Sequence, residues 1–280
     1  MNRKISKFIT SATLCTAIIG GLLFTGCRKP ENDNDTAVAT DNSIAETESN
    51  QVIDAAQSTM IDNGLGRVMN PGSSHATLLP SCASVTLDTI AHNITVNFGT
   101  TNCLCSDWDG KYRRGIIQIH YTGHYSDSGT VIHITTQDYF VNDNEYTFDK
   151  TVTNMGHNSL GQPYFNIHVA TSTVVTPTGQ ITWTSDRVRT WTSGSTTTTP
   201  YDDVYEITGT ASGTSRNGTD FTIIITSPLV KEIGCRWITQ GNMEIAPQGL
   251  ATRFVDFGSG NCDSEAKVTV NGVTFTINLN

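Results

Sequence analysis

The chain has 280 residues, of which 17 are Lys or Arg and 26 are Asp or Glu, so its formal net charge at pH 7 is −9. Such an acidic chain repels phosphate backbones and anionic lipid surfaces, and we expect no nucleic-acid partner. The length that remains after the N-terminal segments described next suits one β domain with a substantial core.

The first 26 residues have the pattern of a secretion signal. Arg3, Lys4 and Lys7 precede an uncharged run from Phe8 to Phe24, which is the charged-then-apolar order of such signals. The run is also long enough for an uncleaved spanning helix, so that alternative stays open. Without residues 1–26 the chain keeps 17 − 3 = 14 Lys and Arg against 26 Asp and Glu, a net charge of −12.

Leu23-Phe24-Thr25-Gly26-Cys27 resembles the lipobox of bacterial lipoproteins. The resemblance implies that Cys27 receives diacylglycerol before the signal is cut away, and that a membrane is the protein's first partner. Two or more acyl chains, such as palmitate, would anchor it stably. The motif departs from the family at Phe24, where leucine is usual, and a cleaved soluble protein is the remaining alternative.

Residues 27–50 are predicted to be an acidic flexible tether, because few of them are apolar. In some Gram-negative groups, notably Bacteroidota, an acidic stretch behind the lipidated cysteine looks like a signal for display on the outer face. A solvated spacer facing the periplasm is the alternative. We therefore expect the protein at the outer membrane, on its periplasmic face or at the cell surface.

Five cysteines remain in the mature chain once Cys15 and Cys27 are set aside, and they are Cys82, Cys103, Cys105, Cys235 and Cys262. In an oxidising envelope they predict two disulfides and one thiol. Local pairing favours Cys235 with Cys262, and Cys82 with either Cys103 or Cys105. A zinc site at Cys103-Leu104-Cys105 is disfavoured, because structural zinc sites place two to four residues between such ligands.

Residues 51–80 are assigned to a short helix and a connecting loop. Apolar residues recur loosely at helical spacing from about Ser43 to Asp62, and Asn63-Gly64 marks the end of the helix. Residues 81–280 then alternate Thr, Val and Ile with turn residues, which indicates strands. Besides two hairpins described below, strands are expected near 84–98, 146–154, 164–175, 180–192, 203–212, 220–230, 233–239 and 251–257.

The predicted fold class is all-β. Consecutive strands without crossover helices imply an antiparallel meander, and so many strands must form a sandwich or a barrel-like curled sheet. We favour the sandwich slightly.

Two hairpins can be paired from the sequence. The turn Asn271-Gly272 places Val270 opposite Val273 and Val268 opposite Phe275. In the second hairpin, within 114–137, a loop at Ser126–Gly129 places Tyr121 opposite Ile134 and His133 opposite Thr122.

The chain after residue 80 resembles a group of uncharacterised β-rich lipoproteins of Bacteroidota. The similar pieces are Tyr112–Gly115, Tyr201–Gly209, Cys235-Arg236-Trp237 and Cys262–Gly272. The resemblance implies location and fold class and no mechanism, because the group has no established activity. The additional cysteine near 103–105 departs from the group and leaves the first disulfide undecided.

Three histidines, His120, His124 and His133, are predicted on one face of the second hairpin. A two-histidine metal site would need an added ligand such as Asp138 or His168. Histidines on a solvated sheet face are the preferred interpretation, and we predict no metal and no cofactor.

A row of aromatic and cationic residues is the strongest candidate for ligand binding. Alternation places Trp183, Ser185, Arg187, Arg189 and Trp191 on one side of a strand. If exposed, the row could stack on sugar rings or a partner protein. If buried, the tryptophans belong to the core and the arginine stems cover them, which is the favoured alternative.

No nucleophile elbow, zinc-protease helix, phosphate loop or dinucleotide fingerprint occurs in the sequence, and we name no catalytic residues. Three hypotheses follow. The first is a non-enzymatic lipoprotein that binds a glycan, protein or lipid, or serves as a scaffold. The second is an enzyme acting on envelope or extracellular polysaccharide, and the third is a carrier of an apolar ligand. The oligomeric state is left open.

Overall fold

The computed structural model describes residues 33, 35–66, 79, 81–105, 109–197 and 199–279. They form one helix, α1 (Ala37–Asp62), followed by strands only. In chain order the strands are β1 (Ser84–Asp88), β2 (Asn93–Asn97), β3 (Cys103–Leu104), β4 (Tyr112–Tyr121), β5 (Val131–Val141), β6 (Asn144–His157), β7 (Pro163–Thr176), β8 (Gly179–Ser193), β9 (Val204–Thr214), β10 (Asp220–Glu232), β11 (Ile238–Pro247), β12 (Arg253–Ser259), β13 (Glu265–Val270) and β14 (Val273–Asn278).

All fourteen strands belong to one antiparallel sheet, and each strand pairs with the next one along the chain except around the short β3. There β2 pairs directly with β4, and β3 pairs with β4 beside the main path. This confirms the predicted meander. The sheet is not closed, and β1 and β14 are its two edges. Strands as far apart as β4, β8 and β11 contact the same helix through their inner faces, and Arg253 of β12 bonds Asp33 just before the helix begins. The single sheet therefore curls around the helix, and the slightly favoured sandwich of two sheets is not present.

The helix is longer than the sequence indicated, and it begins inside the segment assigned to the flexible tether. Residues 37–50 form its first half and are mostly buried, so the tether assignment is corrected for this range. The prediction was wrong for this range because a segment with few apolar residues normally buries too little apolar surface to offset the entropy lost on ordering. Here the buried polar side chains find partners on the strands, as described below.

Side-chain alternation along the strands builds the core around the helix. On one side Val52, Ile53 and Met60 pack with inward residues of the first strands, such as Ile94 and Ile117. On the other side Ala39 and Ala45 pack with inward residues of the last strands, among them Ile245, Val255 and Val268. The helix therefore occupies the interior that a curled sheet would otherwise leave hollow.

The hairpin of β13 and β14 has the predicted register, with Val270 opposite Val273 and Val268 opposite Phe275. Asn271 and Gly272 both have positive φ, at 50° and 78°, as a two-residue hairpin turn requires. Val273 is nevertheless 44% exposed, because β14 is an edge strand with no strand beyond it.

Replacing Gly272 by alanine should destabilise the protein by about 1 kcal/mol, since a side chain disfavours the left-handed backbone there. Urea unfolding of the two proteins measures the difference. Thr274→Ala, an exposed change two residues further along, should cost less than about 0.5 kcal/mol. Equal unfolding midpoints for Gly272→Ala and the wild type would contradict the prediction.

The second hairpin, β4 with β5, differs from the predicted register by two residues. Tyr121 lies opposite Ile132 and His133 opposite His120, so the predicted pairs with Ile134 and Thr122 are wrong. The connection is longer than expected because Tyr125 turns inward, where its N–H donates to Leu65 O at 2.7 Å. A shift of two keeps every side chain on its predicted face.

One predicted strand, near 84–98, is two strands joined by a turn. Asp88 Oδ1 accepts the backbone N–H groups of Ile90 and Ala91, both at 2.9 Å. His92 then has a φ of 53°. The carboxylate stabilises the turn, as Asp commonly does.

Two disulfides join Cys82 to Cys103 and Cys235 to Cys262. This decides the choice that the sequence left open. Cys105 lies outside both disulfides and is buried, with its Sγ 3.7 Å from Cys82 Sγ. Cys27 and the predicted signal, residues 1–26, lie outside the described residues. No helix in the described ranges combines the length and apolarity that crossing a bilayer demands.

Candidate functional site

A buried ionic cluster joins the middle of the helix to β4 and β5. Glu48 of the helix accepts hydrogen bonds from Arg113 Nη2 at 3.3 Å and from Tyr139 Oη at 2.8 Å. Arg113 also donates to both carboxylate oxygens of Asp109, at 2.6 and 2.7 Å. One guanidinium therefore faces two carboxylates, and all four side chains are buried.

The pKa shifts in this cluster indicate fixed charges. Burial alone would raise the pKa of Asp109, but the hydrogen bonds and charge of Arg113 outweigh it and lower that pKa. Burial, and after it the charge of Glu48, raise the pKa of Tyr139, so the phenol stays protonated and donates to Glu48. The arrangement ties the helix to β4 and β5 through buried, charge-assisted hydrogen bonds.

A second group of ion pairs joins the helix to β8 and β10. Arg187 Nη2 donates to Glu46 Oε2 at 2.6 Å, and Arg189 Nη2 donates to Asp54 Oδ1 at 3.1 Å. Lys231 Nζ lies 3.7 Å from Asp54 Oδ2. The helix therefore presents carboxylates to cations that arrive from distant parts of the sequence.

Lys150 on β6 is the most unusual of these cations. Its Nζ donates to the carbonyl oxygen of Ser49 and contacts the Ser49 hydroxyl. Complete burial lowers the pKa of Lys150 to about 7, although Glu46 and Asp54 act in the opposite direction. The amine is therefore partly neutral at physiological pH, where an exposed lysine is fully charged.

The row from Trp183 to Trp191 lies inside the protein, so the alternative in which these residues are exposed is wrong. Trp183, Arg187, Arg189 and Trp191 are all buried against the helix. Trp183 Nε1 donates to Asn42 Oδ1 at 3.1 Å. Arg187 lies over the Trp183 ring and Arg189 over the Tyr205 ring, and both donate to helix carboxylates. The row therefore stabilises the interior and cannot contact a ligand in solution.

Histidines occupy the outer face of the sheet, as predicted. His120 lies directly opposite His133, and His133 Nε2 is 2.8 Å from Asp149 Oδ1. His168 Nδ1 is 2.7 Å from Asp186 Oδ1 on the neighbouring strand. Within the described ranges no three His, Cys, Asp or Glu side chains converge as a ligand set for a metal ion.

A trough crosses the outer face of β8 to β11. Its floor is one row of register partners, in which Thr184 faces Ser212, Ser212 faces Thr222 and Thr222 faces Ala246. All four side chains are small and exposed. Two adjoining grooves of about 930 and 860 Å³, counted to the open surface, share this floor.

The rows beside the floor carry larger side chains at some of their positions. One contains Asp186, Ile224 and Glu244 together with Thr210, and the other contains Asp220 and Gln248 together with Thr182 and Thr214. Hydroxyls and carboxylates together give the trough many hydrogen-bond acceptors and several rotatable donors. We call this surface the outer trough.

The carboxylates of the outer trough are not placed as a catalytic pair. Asp186 and Glu244 stand in the same cross-strand row with two strands between them. Three strand spacings separate their backbones by about 14 Å, whereas paired glycosidase carboxylates lie about 5 to 9.5 Å apart. Their geometry supports binding and gives no support to the polysaccharide-cleaving alternative.

An apolar cleft lies between the helix and the last strands. It is lined on one side by Ile238, Phe257, Ile277 and Leu279, and its volume is about 480 Å³, including the part open to solvent. The space that a water-sized sphere can occupy in it is only about 20 Å³, which is room for about one water molecule. The interior is therefore filled by the chain's own helix, which disfavours the carrier hypothesis.

No family model, curated protein or solved structure matches this chain. The resemblance to β-rich lipoproteins of Bacteroidota therefore stays a prediction from the motifs.

Sequence reasoning missed the outer trough, although its signal is present. Thr184, Ser212, Thr222 and Ala246 lie on four strands spread over more than sixty residues. Each is the small outward residue of an alternating segment, but their alignment depends on the register of three strand pairs. The pairing of β10 with its neighbours also includes bulges, and side-chain alternation in the sequence does not show where bulges occur.

Proposed function

We propose that the mature protein is a lipid-anchored binding module of the bacterial outer membrane that holds a polysaccharide chain in the outer trough. The observation that carries the proposal is the row of small exposed side chains across four strands, three of which bear hydroxyl groups. A shallow groove that crosses several strands suits an extended ligand, whereas small molecules favour enclosed pockets.

The chemistry of the trough favours a neutral or cationic glycan. Sugar hydroxyls can donate to Asp186, Asp220 and Glu244, and such charge-assisted hydrogen bonds are the stronger kind. The threonine methyl groups and Ala246 supply apolar contact to sugar ring faces. An anionic polymer is disfavoured, because the chain carries a net charge of −9.

The anchor is tested by metabolic labelling with palmitate. The wild-type protein should incorporate label and Cys27→Ser should not, because Cys27 is the predicted acylation site. A wild-type protein without label would contradict the anchor and leave the trough proposal standing.

The ligand is tested on a glycan array with the Cys27→Ser protein, which should stay in solution. Ser212→Tyr places a large side chain on the trough floor and should weaken binding at least about tenfold, or 1.4 kcal/mol. Asn166→Tyr, an exposed change on β7 outside the trough, is the matched control and should bind as the wild type does. An array without binding, or equal loss in both variants, would contradict the proposal.

A further inference from the structure

We infer that Cys82, Cys103 and Cys105 form a thiol–disulfide exchange centre, in which the disulfide of Cys82 moves between the other two cysteines. The structure holds the disulfide between Cys82 and Cys103, and Cys105 lies outside both disulfides. The Sγ atom of Cys105 is 3.7 Å from Cys82 Sγ, whereas atoms about to react lie about 3 to 3.5 Å apart. A small approach of the thiol therefore brings it into position to attack the disulfide.

The backbone of β3 explains why two cysteines reach the same partner. The strand pairs with β4 at Cys103, and the ladder continues one step beyond it, since Cys105 N–H donates to Lys111 O at 2.9 Å. In an extended segment residues two apart point to the same side, so the side chains of Cys103 and Cys105 both lie towards Cys82. The carbonyl oxygen of Cys105 also accepts two N–H groups of the following turn, at 3.2 and 2.8 Å, which fixes its position.

The exchange needs no external oxidant or reductant. The Cys105 thiolate attacks Cys82 Sγ, a new S–S bond forms between them, and the bond from Cys82 to Cys103 breaks. Cys103 leaves as a thiolate and takes up the proton that Cys105 lost, so one disulfide and one thiol are present before and after the step. The two disulfides close loops of nearly equal length, with sequence separations of 21 and 23 residues. Loop-closure entropy therefore favours neither of them.

The exchange changes which thiol reagents in solution can reach. Cys105 is fully buried, whereas Cys103 is partly exposed, and cysteine reactivity requires access. The thiol is therefore shielded while it belongs to Cys105 and accessible once the exchange has passed it to Cys103. In that form the centre can react with a molecule that carries a disulfide. Cys103 forms a mixed disulfide with one sulfur of that molecule, and the other sulfur leaves as a thiolate.

Alkylation trapping tests the exchange on the oxidised Cys27→Ser protein. The folded protein is incubated with iodoacetamide at about pH 8, near the ordinary pKa of a thiol. It is then digested in acid, where exchange stops because thiolates are protonated, and mapped by tandem mass spectrometry. Label should accumulate on Cys103, and a disulfide from Cys82 to Cys105 should appear in equal amount. Label mainly on Cys105, or no label on either cysteine, would overturn the inference.

Two serine variants separate exchange from incomplete oxidation. Cys105→Ser removes the attacking thiol, so label on Cys103 should fall at least about tenfold. Cys103→Ser should form a disulfide from Cys82 to Cys105. Undiminished label on Cys103 in the first variant, or two thiols and no disulfide in the second, would also overturn the inference. Circular dichroism identifies a variant that does not fold, and trapping in the parent protein then decides alone.

Discussion

Replacing Arg113 by methionine should destabilise the folded protein by about 3 to 5 kcal/mol, because Glu48 and Asp109 stay buried and lose the cation that donates hydrogen bonds to both. The partly exposed Lys111, whose Nζ is 3.8 Å from Glu48 Oε2, is then the remaining cation beside them. The guanidinium is fully buried and lies 2.6 Å from Asp109 and 3.3 Å from Glu48. Methionine keeps most of the side-chain volume, so the loss reports charge and hydrogen bonding more than packing. Urea unfolding at pH 7 is the measurement.

Arg114→Met is the matched control on the neighbouring residue. Arg114 pairs with the largely exposed Asp143, so its loss should cost less than about 1 kcal/mol. Adding Glu48→Gln to Arg113→Met should restore part of the lost stability, because one of the two uncompensated charges is then removed. Equal destabilisation by Arg113→Met and Arg114→Met would contradict the role assigned to the cluster.

The free energy of unfolding should rise by about 3 kcal/mol between pH 7 and pH 9.5, since burial lowers the pKa of Lys150 to about 7. Below pH 7 both states bind the proton and the cost of burying it is constant. Between pH 7 and the ordinary value of 10.5 only the unfolded state is protonated, so each unit of pH favours the folded state. Burial lowers the pKa of Lys231 as well, which adds to the rise.

The rise should end near pH 10. Burial raises the pKa of Tyr139 and of Tyr205 above their ordinary value of 10.0, so only the unfolded state ionises them and stability then falls with pH. Lys150→Met should flatten the profile between pH 7 and 9.5, and the exposed change Lys267→Met should not. A Lys150→Met protein whose stability still rises as steeply as that of the wild type would contradict the assignment.

The fold class could be predicted because strand alternation and turn chemistry are local properties. Val268, Val270 and the Asn271-Gly272 turn contain all the information that their hairpin needs, and its register was confirmed. The predicted β4–β5 register was wrong by two residues because the decisive contact, Tyr125 with Leu65, joins the hairpin to the segment just after the helix. Local patterns do not contain such a contact.

The first half of the helix could not be predicted for a related reason. Asp41, Glu46 and Glu48 indicate solvent exposure when the segment is considered alone. Their partners, Arg216, Arg187 and Arg113, lie 65 to 175 residues further along the chain. The same long-range pairing accounts for the burial of the Trp183 row, which was the favoured alternative for these residues.

The bonds of Asp33 have a consequence for the order of events during folding. Its partners lie near the end of the chain, with Arg253 separated from it by 220 residues and Asn271 by 238. Asp33 thus acquires these contacts only after the last strands are made, and the polar helix that follows it is marginal alone in water. Contacts of such long sequence separation cost loop-closure entropy before they form, so we expect the docking of this end of the chain to be a slow step in folding.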